Sequence, residues 1–365
     1  MTANGQARFS EARPEHPMTR EETELADEIN REFSSSLLEP PETTSRNASK
    51  WTYRGRFMEG RELEYEATLE AYREIYREES NNHIQALTGC RTYASLRREK
   101  TSGNVKVFGD SCRDRWCPMC AGQKASYAKE QSEEYVRSLK APRFLTLTLR
   151  NNENDLKTQV SFLQKSFSTL RQRAFWKKHV TGGIWFLQVK RGKGSGCWHP
   201  HLHILLDGDY LEQRRLSALW EQVTFNSPVI DIRRIHDAES AASYVARYTA
   251  RPAALADMPL ADRVEVIEAL FRKRLCGTFG TAKAVTLTPP KIAADGEWKY
   301  IGNFDQIVEQ AEHCEKAKRI LYAFNNDLPL SAQHFEDFTG FPPDRVHTAP
   351  VAEPPNKQMY LDFYH

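Results

Sequence analysis

The sequence predicts an α+β fold: a mostly antiparallel sheet carries helices on its faces, preceded by a four-cysteine segment and a helical arm. Three observations predict it. From residue 144 onward, β-forming and helical segments alternate in the order βαββαβα. A Gly-rich turn joins two of those strands as a hairpin, and four of the seven cysteines crowd into the segment just before them. That order suits ferredoxin-like and RNA-recognition-motif-like sheets, where helices pack onto an antiparallel layer.

Taken in order, MTREETELADEINREF (18–33) can form a helix, with Thr19 as N-cap and Glu22 completing a capping box. LLEPPETTSRNAS (37–49) is a linker by its proline pair and polar run, and a charged helix spans about 59–79. FLTLTLR (144–150) alternates and is rich in β-formers, hence a strand. In 155–179, Val160, Leu163, Phe167, Leu170 and Ala174 fall at helical spacing. IWFLQVK (184–190) and HLHILL (201–206) are strands flanking the Gly-rich turn. A helix over 210–223, a strand over 229–235 and a helix over 237–250, ended by Arg251-Pro252, complete the pattern. The expected organisation is an N-terminal arm, disordered or helical, over 1–50, a helical region over 51–85, a four-cysteine segment over 86–140 and the sheet domain over 141–290. A C-terminal helical extension over 291–340 and a flexible, Pro-rich tail over 341–365 follow.

Composition narrows the function. At 40% hydrophobic residues the chain is globular. No apolar run approaches the roughly 20 residues a membrane helix needs, and the first residues lack the apolar core of a secretory signal, so a cytoplasmic protein is expected. The net charge of +2 hides a strong division. Residues 1–85 hold 11 Lys/Arg against 18 Asp/Glu, residues 86–255 hold 28 against 15, and residues 256–365 hold 12 against 16. A basic middle between acidic flanks fits a polyanionic partner.

Three constellations carry chemistry. In WHPHLHILL (198–206), strand alternation puts His201 and His203 on one face, about 7 Å apart along the strand. Two imidazoles so placed can converge on one metal ion, although a histidine pair at a strand end also serves as plain polar surface. Gln188, on the preceding strand, comes to lie across from the pair if the hairpin closes. A buried amide needs a partner, which a metal ion or a sheet hydrogen bond would supply equally well. The second constellation is Tyr244-Val-Ala-Arg-Tyr248, two phenols one helical turn apart that could share a site or simply pack the helix on the sheet. The third is Cys90, Cys112, Cys117 and Cys120, the last three within CRDRWCPMC, whose knuckle spacing indicates a tetrahedral structural Zn²⁺ site. Arg91, Arg113 and Arg115 beside it suit thiolates or phosphate. Cys197, Cys276 and Cys314 have no partner spacing.

Together these residues resemble the HUH endonucleases, and specifically the rolling-circle plasmid replication initiators (Rep) of the pUB110/pC194 type. The resemblance covers roughly residues 86–290 and rests on CRDRWCPMC, on FLTLTLR, WHPHLHILL and YVARY as successive motifs, and on RLCGTFGTAK (274–283). It implies Mg²⁺ or Mn²⁺ at His201, His203 and Gln188. It also implies a tyrosine nucleophile, Tyr248, that forms a 5′-phosphotyrosine on single-stranded origin DNA and leaves a 3′-OH primer for the host polymerase. Arg247 is a candidate cation beside the phenol, and Tyr244 a second nucleophile for rejoining. Two positions depart from the family pattern. Gln188 stands where relatives usually have an acidic residue, and Tyr244 stands where many plasmid initiators carry Glu, as in two-tyrosine phage initiators and some transposases. In the tail, Gln358, Leu361 and Phe363 resemble the QxxLxF peptide by which bacterial proteins bind the replicative sliding clamp. Two alternatives stay open: an HUH transposase or relaxase using the same chemistry for strand transfer, and a non-catalytic zinc-containing nucleic-acid-binding protein whose tyrosines pack or stack on bases.

Overall fold

The computed structural model describes residues 52–101, 103–192, 195–250, 253–289, 298–311, 313–326 and 330. The arm over 1–50, the tail over 341–365 and with it Gln358, Leu361 and Phe363 lie outside the described residues. The elements run α1 (Tyr53–Met58), α2 (Glu62–Tyr76), α3 (Asn82–Thr88), β1 (Ala94–Glu99), β2 (Val105–Gly109), α4 (Pro118–Ser138) and β3 (Arg143–Thr148). Next come α5 (Leu156–Leu170), α6 (Ala174–His179), β4 (Val180–Arg191), β5 (Trp198–Gly208), α7 (Gln213–Thr224), β6 (Ile230–Arg234) and α8 (Ala238–Ala250). The last are α9 (Leu260–Ala269), β7 (Cys276–Gly280), β8 (Trp298–Asn303), α10 (Phe304–Gln310) and α11 (Glu315–Asn325).

A five-stranded antiparallel sheet, in the order β6-β3-β5-β4-β7, forms the centre. Alternation along its strands gives it two faces. Leu145, Leu147, Leu187, Val189, Leu202, Ile204 and Leu206 face a core shared with α5, α7, α9 and the α2–α3 pair. Phe144, Ile184, Phe186 and Leu205 face a smaller core closed by α4 and α8. The βαββαβα order over 143–250 is present, with its helical region differently divided: one helix was expected over 155–179, but the chain turns at 171–173 between α5 and α6. The turn lets Trp176 fold back edge-on against Phe167, at 6.0 Å between ring centroids. Asp155 caps α5 by accepting from Thr158 N at 2.9 Å.

A second sheet, β2-β1-β8, was not foreseen. The helical extension expected over 291–340 also holds a strand, β8, which pairs antiparallel with β1 across about 200 residues. Its own core gathers Tyr53, Leu96, Val105, Phe304, Ile320 and Leu321. The expected helix over 59–79 starts later, because Gly60 (φ 68°) separates α1 from α2. Among the described residues, no helix is long and apolar enough to cross a membrane.

Candidate active site

β5 supplies the histidines and its two neighbours supply their partners. His201 stands in register with Gln188 on β4 and Thr148 on β3, and His203 with Phe186 and Thr146. Both imidazoles are buried, His201 at 1% exposure and His203 at 0%. The expected hairpin geometry is present: Gln188 lies directly across from His201. Both ends of its amide are engaged, Oε1 with His203 Nε2 at 2.7 Å and Nε2 donating to the Tyr248 hydroxyl at 2.9 Å. A single amide therefore joins the strand imidazole to a helix phenol.

The phenol arrives from α8. Asp237 caps that helix, accepting from Glu239 N at 3.0 Å and from Ser240 Oγ. The apolar side of α8, including Ala241 and Val245, packs into the smaller core with α4 residues Ala128, Tyr135 and Val136. Spacing of four residues then presents both tyrosines to His203. Tyr248 stacks on it at 5.5 Å and 25°, while Tyr244 meets it edge-on at 5.2 Å and 85°. The phenols differ in access. Tyr244 is 1% exposed and also meets Phe144 edge-on at 5.6 Å, whereas Tyr248 is half-buried. Arg247 is exposed, its guanidinium 5.2 Å from the Tyr244 ring centre and 5.9 Å from that of Tyr248.

Burial pushes the His203 imidazole down to about 3, aided by the positive charges of Lys190 and Arg247. His201 is likewise held well below the usual imidazole range by burial, then by His203, Lys190 and His199. Both rings are thus neutral at pH 7, the state a metal ligand requires. Unfolding releases them to titrate near pH 6.5, so the unfolded state binds the extra protons first and stability falls as pH drops below that value. In protein without added Mg²⁺ or Mn²⁺, each ring should cost about 1–2 kcal/mol of unfolding free energy between pH 7 and pH 5. Urea denaturation at the two pH values checks this, and a flat profile would contradict it.

The site also contains residues that motif reasoning passed over. Thr146, 0% exposed, pairs its hydroxyl with His203 Nδ1 at 3.2 Å. Lys190 lies in register with His199, whose ring stacks on His201 at 6.3 Å and 10°. The signal for both was alternation: Thr146 lies in register opposite His203, and Lys190 follows Gln188 at the same-face interval.

The donor set suits a divalent ion. His203 Nε2 meets the Gln188 amide oxygen at 2.7 Å, and His201 Nδ1 is buried with no hydrogen-bond partner, a cost that a bound cation or water would relieve.

The cysteines form a second centre. Cys90, Cys112, Cys117 and Cys120 are all buried, and their sulfurs lie within 4.8 Å of one another. Nearest approaches run from 3.5 Å (Cys90–Cys120) to 3.7 Å (Cys112–Cys120 and Cys117–Cys90). A tetrahedral Zn–S cage with bonds near 2.3 Å has sulfur edges of about 3.8 Å, so these residues fit such an ion. Arg91 and Arg113, each just after a cysteine, adopt left-handed φ of 63° and 54°. Hydrogen bonds from Cys112, Cys117 and Cys90 hold the Cys120 thiol well below its usual range. Two of the arginines beside the cysteines make their contacts elsewhere in the fold. Arg91 is 3% exposed, bonded to the Tyr53 hydroxyl and stacked over Phe57, and Arg115 holds the carbonyls of Leu270 and Lys273.

An antiparallel sheet bearing imidazoles, an amide and helix phenols on one face, with four clustered thiols beside it, defines an α+β protein whose cysteines could hold a metal ion. The chain belongs to the Rep_1 family of replication proteins, which it matches over residues 106–328. That span takes in the whole sheet, the tyrosine helix and, beyond the expected limit, β8, α10 and α11. Over 219 residues the chain is 29% identical to "Protein rep" of Streptococcus pneumoniae serotype 2 (strain D39 / NCTC 7466), covering 53% of this chain and 68% of that one. It is 26% identical over 182 residues to "Protein rep" of Staphylococcus aureus, covering 44% and 76% respectively. No solved structure matches the chain. Membership agrees with the resemblance to plasmid rolling-circle replication initiators carried by the motifs.

Proposed function

We propose that the protein starts rolling-circle replication by cutting one strand of origin DNA with Tyr248. The observation that carries this is the Gln188 amide, which ties His203 on the sheet to the Tyr248 hydroxyl on the helix through bonds of 2.7 and 2.9 Å. The link sets the phenolic oxygen beside the imidazoles, where a nucleophile would have to stand. The Tyr248 oxygen attacks the scissile phosphorus, the bond to the 3′ oxygen breaks, and the phosphate stays on the tyrosine as a 5′-phosphodiester. The departing oxygen ends as a 3′-hydroxyl, so one proton is exchanged overall for the phenolic one. Arg247, exposed beside the ring, steadies the charge that develops on the phosphate. Gln188 orients the phenol, and His203 and Thr146 hold Gln188 in place in turn. His201, His203 and Gln188 would hold Mg²⁺ or Mn²⁺, which supplies Lewis-acid polarisation of the phosphate when bound. At the second centre, Cys90, Cys112, Cys117 and Cys120 would hold Zn²⁺ as a structural ion. Rejoining by Tyr244 requires its ring to leave the core between Phe144 and His203, so Tyr248 acts first. The tail residues Gln358, Leu361 and Phe363 would recruit the host sliding clamp in the cytoplasm.

The test is incubation with single-stranded DNA carrying the cognate origin, with Mn²⁺ or EDTA, followed by a denaturing gel. A covalent protein–DNA band that needs the metal and is lost in His201→Ala supports the proposal. Intact DNA binding with no band under any metal would sink it and favour a non-catalytic nucleic-acid-binding protein. A second expectation concerns Thr146→Val, which keeps the shape but strips His203 Nδ1 of its partner. It should raise the Mn²⁺ concentration for half-maximal cleavage about 10–100-fold. An unchanged half-point would remove Thr146 from the site.

A further inference from the structure

On the opposite face of the sheet from the tyrosines lies a cleft of about 290 Å³, lined by Gln164, Phe167 and Arg171 of α5, Trp185 of β4, Leu202 of β5 and the basic run Arg272-Lys273-Arg274. Its position follows from strand alternation. Leu202 stands between His201 and His203 and points away from both, as Trp185 does relative to Phe186. Four cations line it and no carboxylate does.

None of the four takes part in an ion pair among the described residues. Arg171 is half-buried over Phe167 and Phe279, at 4.9 and 5.2 Å, and its Nε is buried without a hydrogen-bond partner. Such a guanidinium is costly to keep unless an acceptor visits it. Arg272 and Arg274 are exposed. The loop that carries them is held from below: Arg115, in the cysteine segment, donates to the carbonyls of Leu270 and Lys273, and Gln164 Nε2 donates to that of Arg274 at 2.8 Å. Lys273 is anchored to Ser161 Oγ at 2.9 Å. One wall is the half-buried indole of Trp185, against which β7 approaches so closely that a Cβ at Gly277 would lie 2.8 Å from Nε1. A fixed backbone with guanidinium groups that make no ion pair, beside an aromatic plane, has the chemistry of a nucleotide site.

We propose that this cleft is a second DNA contact. It takes a nucleotide of the origin strand, with phosphate on Arg171 and Arg274 and the base against Trp185, on the side of the sheet away from Tyr248. The inference rests on the reading that the chain acts on origin DNA. A continuous strand is favoured over a free nucleotide because the basic run leads directly into β7, the edge strand, round which a strand passes from one face to the other. The lining also has no glycine-rich phosphate loop and no acid to read a ribose.

The test uses the full chain and two origin oligonucleotides, one just spanning the nick and one extended on both sides. With bromodeoxyuridine in the extension, irradiation of the unaltered protein should place adducts on peptides containing Trp185 or residues 271–275. Arg171→Gln/Arg274→Gln should weaken binding of the long oligonucleotide at least about tenfold and lower its salt slope by about 1–2, while the short one discriminates little between the two proteins. Arg274→Gln alone, at an exposed position, should show a smaller change in the same direction without loss of thermal stability. Covalent product formation by the unaltered protein, with adducts elsewhere and unchanged affinity in both variants, would overturn the cleft and leave the nicking proposal standing. Saturable binding of a deoxynucleoside monophosphate at the cleft, with DNA affinity unaffected, would overturn the strand assignment. If the unaltered protein binds no origin DNA, the nicking proposal falls and this inference with it.

Discussion

Replacing Tyr248 by phenylalanine should lower the covalent protein–DNA product at least about 10³-fold, since the proposed bond-forming hydroxyl is gone and the neighbouring Tyr244 is 1% exposed. Affinity for uncut DNA should change little, because the ring and its stack on His203 remain. Tyr244→Phe is the informative contrast. Its ring is 1% exposed and fills the space between Phe144 and His203, so losing only the hydroxyl should leave more than about a tenth of first-strand cleavage. Scoring both variants on the same denaturing gel ranks the phenols. Equal losses would mean that the two act as one unit, and a stronger effect at Tyr244 would reverse the assignment. A closing assay on pre-cut strands separately asks whether Tyr244 enters later.

The second large effect is expected at the thiol cage. The unaltered protein should carry about one equivalent of zinc, and Cys117→Ser should carry almost none. Cys117 is 0% exposed and sits in the same core as Tyr72, Leu87 and Leu147. If an ion unites the four thiols, losing one should cost about 3 kcal/mol or more and lower Tm by about 6–12 °C. Metal content by mass spectrometry and thermal unfolding together decide the point. A metal-free protein of unchanged Tm would show the cysteines to be plain core. The damage should also reach cleavage, because α4 begins at Cys117 as its N-cap and ends packed against α8, which holds Tyr248.

Much of the site was legible because it is local. Two-residue alternation put His201 and His203 on one face, and a short turn made Gln188 their cross-strand neighbour. Four-residue spacing aligned Tyr244 with Tyr248, and the CRDRWCPMC segment gathered three of the four thiols. What periodicity does not encode is which distant segments meet. ASLRRE and VKVFG are short, charged stretches whose strand character depends on pairing with each other and with Trp298–Asn303. The turn at 171–173 interrupts a pattern that is helical on both sides, and it is decided by where Trp176 has to pack. The basic cleft draws on residues more than 100 positions apart, so no local pattern brings Arg272, Lys273 and Arg274 together with Arg171 and Trp185. Unequal access of the two phenols also escaped notice, since it depends on Phe144 from another strand.

The pairing of β8 with β1 bears on how the chain comes into being. During synthesis β1 emerges about 200 residues before its outer partner, so the small sheet is a nonlocal, late-closing structure. Until then one flank of β1 offers bare amides and carbonyls to any passing strand. A fragment cut at 86–290, where the motifs alone would place the boundaries, keeps the five-stranded sheet, the phenols and the thiols. It loses the one strand that seals that flank, and would carry a permanent invitation to self-association that the longer chain withdraws when it is finished.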